Sequence, residues 1–250
     1  MSAVLRTVGL SKSWGGFQAN RDIDFSLEAG ARHALIGPNG AGKTTFINLL
    51  TGFLQPSAGD VYLGDENVTH LAQHLRVRRG VTRTFQINTL FPGLTVLESV
   101  TLAVCVRRRT APRWWSALSR QREEIDEAQA LLATLQLERE AAVVTASLPY
   151  GKQRLLEIAL ALATRPKILL LDEPAAGIPS NECAELFEVI SRLPRDVTML
   201  FIEHDMGLVF RFAERITVLV AGSVLVEGDP QQIANDPRVR EVYLGEAAHG

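Results

Sequence analysis

The chain has 250 residues, 46 % hydrophobic and 22 % charged, a globular composition for one large domain or a core with a smaller subdomain, which excludes a disordered chain. Its 26 Lys and Arg against 28 Asp and Glu leave a formal charge of −2, no electrostatic case for nucleic acid. No run reaches the ~18 uninterrupted apolar residues of a membrane helix, and Cys105 and Cys183, far apart and in no metal-ligand pattern, predict two small buried thiols rather than a disulfide or a nucleophile.

In chain order, the opening MSAVLRTVGLSKSW lacks the long apolar run of a signal peptide. Gln18 to Ser26 and Ala31 to Ile36 read as strands separated by LEAG, and a Gly-rich loop then opens a helix through TTFINLL. GDVYL and VTRTF read as further short strands. From LFPGLTVLESV the character turns helical, with Thr95 and Glu98 in capping-box spacing. Helical periodicity continues, with a break at Pro112, through REEIDEAQALLATLQL and into SLPYGKQRLLEIALAL, a polar loop running straight into an apolar helix. Strand and helix then alternate: ILLLD, TMLFIE and ITVLV as buried strands, NECAELFEVISRL and DMGLVFRFA as helices between them. Such βαβ repetition predicts a parallel sheet, interrupted by a helical insertion. The run Ile216 to Val226 is broken by Gly222 and rich in β-branched residues, which argues against a membrane span. Any membrane role is therefore expected to come through a partner.

Four stretches carry chemistry. Gly37-Pro38-Asn39-Gly40-Ala41-Gly42-Lys43-Thr44-Thr45 is G-x-x-x-x-G-K-T between an apolar strand and a helix. Its glycines let backbone N–H groups curl around phosphate oxygens, Lys43 supplies a point charge for the β- and γ-phosphates, and Thr44 offers an oxygen to Mg²⁺. ILLLDEP would deliver Asp172 to the metal and leave Glu173 at the strand tip to take a proton from the water attacking the γ-phosphate. Alone, it would read equally well as a solvated acidic strand end. His204, in FIEHD, is either a packed or surface histidine or, at the end of the third buried strand, a hydrogen-bonding partner for the γ-phosphate and the attacking water. Gln86, in RTFQ, is weaker: an amide able to reach Mg²⁺ or the water. His70 and His74 share helical spacing but have no third ligand nearby, which argues against a metal pair.

The ordered set of Gly37–Thr45, Gln86, Leu148–Lys152, Asp172–Glu173 and His204 resembles the ATPase subunits of ATP-binding cassette transporters over nearly the whole chain. The resemblance implies an α/β P-loop NTPase, with a RecA-like core and an antiparallel β subdomain over 1–86 and 165–228. It further implies a helical subdomain over 87–164 and a helical tail over 229–250. ATP and Mg²⁺ are the expected ligands, with Thr44, Gln86 and Asp172 around the metal. A head-to-tail dimer is implied, in which Leu148, Pro149, Tyr150, Gly151 and Lys152 stand where the family has its signature loop. There the helix N-terminus behind Gly151 would face an ATP bound by the other subunit.

TGFLQPSAGDVYL, RTFQ, LFPGLTVLESV, DEPAAGI, FIEHDM and VYLGE resemble the branch that imports branched-chain and other hydrophobic amino acids. By that likeness Trp14 stacks on adenine. Two integral membrane permease subunits and an extracytoplasmic binding protein are the implied partners, and the cytoplasmic face of the inner membrane is the implied location. Three residues depart from the family pattern: Pro149 for a Ser, Lys152 for a Gln, and Pro179 where Asp or Asn is usual. Pro149 and Pro179 motivate one alternative to a transport ATPase, an ATP-gated interaction module of low turnover, against which intact Glu173 and His204 argue. A soluble cassette protein not tied to transport is a second, disfavoured because such proteins usually carry two cassettes or a long coiled-coil insertion. The cluster Arg107 to Arg109, Arg113, Trp114 and Trp115 reads as a solvated basic loop, as a contact for membrane subunits, or as a lipid-headgroup contact.

Overall fold

β1 (Ala3–Trp14) and β2 (Phe17–Glu28) form a hairpin, and β3 (Arg32–Ile36) leads through the Gly-rich loop into α1 (Lys43–Thr51). β4 (Ala58–Leu63), β5 (Glu66–Asn67), α2 (Gln73–Arg78) and β6 (Val81–Arg83) follow, then the helices α3 (Val96–Arg108), α4 (Arg122–Thr134) and α5 (Tyr150–Leu162). The chain closes with β7 (Ile168–Asp172), α6 (Ser180–Ser191), β8 (Thr198–Ile202), α7 (Met206–Phe212), β9 (Arg215–Val220), β10 (Ser223–Gly228), α8 (Pro230–Asn235) and α9 (Pro237–Ala247). This computed structural model describes residues 3–84, 90–110 and 121–247. Gln86, Pro112, Arg113, Trp114 and Trp115 lie outside the described residues.

An antiparallel sheet runs in the order β2-β1-β4-β5, and a six-stranded sheet in the order β10-β9-β3-β8-β7-β6. The second is parallel from β9 to β6, as the βαβ repetition predicts, with β10 antiparallel at one edge. Period-two alternation splits its strands between two apolar clusters. Ala34, Ile36, Leu169, Leu171, Met199 and Phe201 face one, while Leu35, Ile168, Leu170, Leu200 and Ile202 face the other. The first cluster continues into α3, α4 and α5 through Val96, Val100, Val104, Leu132 and Leu156. The second joins α1 to the antiparallel sheet through Phe46, Leu50, Leu5, Ile23 and Phe25.

Three strands escape the sequence reading: β5, which is only two residues long, and β1 and β10, each for a local reason. In β1 both Leu5 and Leu10 are buried although an odd spacing separates them. The pairing shifts register between Thr7 and Leu10, around Gly9 at φ +57, so the bulge returns Leu10 to the face of Leu5 and hides the alternation. β9 and β10 are a hairpin whose two-residue turn, Ala221 (φ +47) and Gly222 (φ +83), is left-handed at both positions. The apolar run Ile216 to Val226 is therefore a strand pair. The helical pattern expected through Leu137 stops at Thr134, where the next turn places Gln136 at φ +57.

Two buried guanidiniums tie helix ends to the rest of the chain. Arg76 is fully buried and donates to the carbonyls of Leu49 and Leu50 at the end of α1 and to those of Thr69 and Leu71. Arg32 donates in the same way to Leu193, Pro194 and Val197 beyond the end of α6. Each fills helix-terminal or loop carbonyls that would otherwise be buried without donors. Burial lowers the pKa of Arg76 to about 10, which leaves it charged at neutral pH.

Candidate functional site

Adjacent parallel strands β3, β8 and β7 place their C-terminal ends at one edge of the sheet. That is where an open α/β sheet presents its loops to ligands. The loop Gly37–Gly42 leaves the end of β3, Asp172 ends β7 with Glu173 next after it, and Glu203 and His204 follow β8. The three motifs singled out from the sequence, spread from Gly37 to His204, therefore meet at one edge.

The loop needs its glycines for close approach as well as for backbone freedom. A Cβ on Gly37 would lie 2.1 Å from the Leu219 carbonyl oxygen, and one on Gly42 (φ +96) 2.4 Å from that of Ala19. The loop is stapled to β9–β10 by the Gly222 N–H, which donates to the Ala41 carbonyl at 3.1 Å. Lys43, almost fully buried, folds Nζ over the loop and donates to the carbonyls of Gly37 (2.6 Å) and Pro38 (2.9 Å). Thr44 is exposed on the first turn of α1. Trp14 ends β1 in the other sheet, about half exposed, with Lys12 Nζ 5.4 Å from its ring centroid.

Asp172 is buried, and its Oδ2 is paired with the Arg83 guanidinium on β6, which also donates to Asn48 Oδ1 of α1 at 2.5 Å. Its Oδ1 is buried without a hydrogen-bond partner. A carboxylate oxygen in that condition is costly unless a cation or donor completes it, so the residue fits a hard divalent ion. Sequence reasoning passed over Arg83 and Asn48; the Arg of RTFQ was the available signal.

Glu173 adopts φ +48, a left-handed conformation rare for a non-glycine residue and found where local strain serves a site. Its N–H donates to the Ile202 carbonyl at 3.1 Å, and its Oε1 lies 2.8 Å from His204 Nε2. The pair is partly exposed, with side-chain accessibilities of 26 % and 47 %. Glu203, also passed over, is buried beside it. Its Oε1 accepts the Ala175 N–H at 2.9 Å and its Oε2 the His204 N–H at 3.2 Å. Burial raises its pKa above the usual carboxylate range.

Leu148 and Pro149 lead into α5, with Pro149 as the cap residue at φ −55 and no side-chain cap, and Tyr150, Gly151 and Lys152 form its first turn. The first N–H groups of a helix have no intrahelical acceptor, so this end presents donors outward. Tyr150 packs on Gly177 of the turn after β7, while Lys152 turns back to the Gln136 carbonyl (3.2 Å) and Glu140 (3.5 Å). Cys105 and Cys183 are both buried and free, as expected.

Comparison with known proteins agrees with this geometry. A family model described as ABC transporter matches residues 20–176, and one described as branched-chain amino acid ATP-binding cassette transporter matches residues 223–249. The high-affinity branched-chain amino acid transport ATP-binding protein LivG of Escherichia coli (strain K12) is 41 % identical over 257 residues, covering 99 % of this chain and 100 % of its own. A solved ATP-binding cassette of an ABC transporter in its ADP conformation superposes with a TM-score of 0.85 at 29 % identity, covering 98 % of this chain and 100 % of that one. A solved dimeric bacterial ABC transporter cassette has a TM-score of 0.75 at 27 % identity, covering 90 % of this chain and 98 % of that one. With a Gly-rich loop, Asp172, Glu173 and His204 on one sheet edge and these relatives along its length, the chain belongs to the ABC transporter family as an ATP-binding, ATP-hydrolysing cassette.

Proposed function

We propose that this chain is the ATPase subunit of an importer for branched-chain or other hydrophobic amino acids. It works as a head-to-tail pair of cassettes on the cytoplasmic face of the inner membrane, beneath two permease subunits fed by an extracytoplasmic binding protein. The observation that carries the hydrolytic part is the 2.8 Å contact of Glu173 with His204 at the edge where the Gly37–Thr45 loop ends β3. The full-length relative LivG and the match at residues 223–249 support the cargo class. A dimeric cassette covering 90 % of the chain supports the pairing. No helix among the described residues is long and apolar enough to cross a membrane, which fits attachment through partners.

The meeting of Lys43, Asp172, Glu173 and His204 at one sheet edge supports their roles in this reading, and the family resemblance supports those of Gln86 and Trp14. The backbone N–H groups of Gly37–Thr45 and Lys43 hold the phosphates, and Trp14 stacks on adenine. Thr44, Gln86 and Asp172 would hold Mg²⁺, which would supply positive charge beside the phosphates. Glu173 accepts a proton from the attacking water, and His204 Nε2 steadies that carboxylate and the γ-phosphate. Leu148–Lys152 completes the ATP site of the other subunit. In this reading residues 1–86 and 165–228 form the core with its β subdomain, 87–164 the helical subdomain and 229–250 a tail.

The test is Glu173→Gln in the assembled transporter, with hydrolysis, ATP binding and uptake of labelled branched-chain amino acids measured together. ATP binding should persist while hydrolysis and uptake collapse, and ATP should trap the two cassettes as a closed dimer. Parental hydrolysis would remove Glu173 as the base, and hydrolysis lost without any uptake of branched-chain amino acids by the parent would remove the cargo assignment.

A further inference from the structure

Glu203 has no role in the reading above, yet its surroundings are unusual for a carboxylate. It is 5 % exposed and both of its oxygens are engaged by backbone N–H groups from two different loops, those of Ala175 and His204. A buried carboxylate is tolerated when charge-assisted hydrogen bonds replace its water. The Ala175 N–H belongs to the turn that begins with Glu173, and the His204 N–H to the residue whose ring touches Glu173. The contacts close a ring: along the chain from Glu173 to Ala175, across to Glu203, along to His204, and through Nε2 back to Glu173 Oε1. A second link, Glu173 N–H to the Ile202 carbonyl, spans the same gap.

The ring also accounts for how Glu173 keeps its φ of +48. A non-glycine residue stays in that region only where its surroundings over-determine it. Here the Ile202 carbonyl holds the N–H of Glu173 itself, and Glu203 holds the turn two residues on. Burial raises the pKa of Glu203, and the two N–H donors oppose that rise.

We propose that Glu203 is a positioning residue for ATP hydrolysis: it clamps the turn after β7 to the end of β8 and so fixes Glu173 against His204. This rests on the roles given above to Glu173 and His204. Glu203→Gln keeps the size of the side chain but turns one of two acceptors into a donor, so either the Ala175 or the His204 N–H faces another N–H.

The experiment is a double-mutant cycle in the assembled complex: parent, Glu203→Gln, His204→Ala and the double variant, each measured for kcat, KM for ATP and thermal unfolding midpoint. Glu203→Gln should lower kcat about tenfold with KM changed less than about twofold. In the His204→Ala background the same substitution should cost less than about twofold more, because the Glu173–His204 contact that the clamp sets is already gone. Equal losses in both backgrounds, or a KM that rises in step with the fall in kcat, would overturn the proposal. If Glu203→Gln fails to fold, Glu203→Asp takes its place in the cycle; it keeps the charge and both acceptors but withdraws them by one methylene, and the same two outcomes decide. His204→Ala alone separates the two levels. Parental kcat there removes His204 from the site and with it the reading on which Glu203 depends, whereas an additive cycle with an impaired His204→Ala overturns Glu203 only.

Discussion

Tyr150 and Gly177 are in contact tight enough that a Cβ on the glycine would lie 3.2 Å from Tyr150 Cε1 and 3.3 Å from its hydroxyl oxygen. The tyrosine is further held by Arg154, which donates to its hydroxyl at 2.9 Å and pairs with Glu157 at 2.8 Å. The Leu148–Lys152 segment and the turn after β7 are therefore in direct contact, although they belong to different parts of the chain. Gly177 has φ +78, so Gly177→Ala meets both a conformational cost and the tyrosine ring. The expected loss is about 1–2 kcal/mol of stability, read by urea unfolding, and Tyr150→Ala should relieve part of it in the double variant.

Lys43 donates to two carbonyls of its own loop, and those contacts do not need nucleotide. Lys43→Ala should leave a folded protein whose ATP affinity falls at least about tenfold. A charge-assisted hydrogen bond contributes roughly 1.5–3 kcal/mol, and 1.4 kcal/mol is a factor of ten. Titration calorimetry with ATP checks it; parental affinity would refute the phosphate-loop assignment.

His33 is fully buried, 2.8 Å from Thr217 Oγ1 and against the ring of Phe25, and burial lowers its pKa from 6.5 to about 4. A histidine held neutral contributes stability that is fully present above 6.5 and is lost as pH falls toward 4. The expected loss over that window is about 3 kcal/mol at 1.36 kcal/mol per pH unit. His33→Gln, which does not titrate, should show a shallower decline between the two values. The comparison is urea unfolding of both proteins across that range, and parallel curves would contradict it.

Arg76 fills four carbonyls from a fully buried position. Arg76→Ala should cost about 4 kcal/mol, since each stranded buried acceptor is worth roughly 1–3 kcal/mol. Arg76→Lys should recover only part, because an ammonium cannot span all four acceptors. Denaturant midpoints of the three proteins rank the effects.

Pro149 caps α5 without a side-chain acceptor, where a serine would bring a hydroxyl. Pro149→Ser should change turnover by less than about tenfold, a difference of about 1.4 kcal/mol. In a mixed pair of cassettes the effect should vanish once the phosphate-loop lysine of the other cassette is disabled. An equal effect in both backgrounds would show that the loop does not act across the pair.

The motifs legible in the sequence are those whose chemistry is local. A Gly-rich loop before a helix and an apolar strand ending in acids announce themselves within ten residues, and βαβ alternation orders them along one sheet edge. What was not legible depends on distant partners. Arg83 matters because Asp172 and Asn48 flank it, Arg32 because the carbonyls at 193–197 reach it, and Glu203 because Ala175 returns to it. β1 was obscured by its own bulge, which breaks the periodicity that strand reading relies on. The roles proposed for Trp14 and Leu148–Lys152 involve adenine and a second cassette, groups outside this chain.

Among the described residues, the buried apolar side chains of α3, α4 and α5 form no cluster of their own. Val100, Val104, Leu132 and Leu156 belong to the same cluster as Phe187, Phe201 and Val218. Grafting residues 87–164 from a relative into this chain would thus mismatch a surface distributed over α6, α7 and one face of β7–β9. A functional chimera must exchange those side chains together with the insert, and the natural seam for recombination runs through the sheet rather than at the ends of the helices.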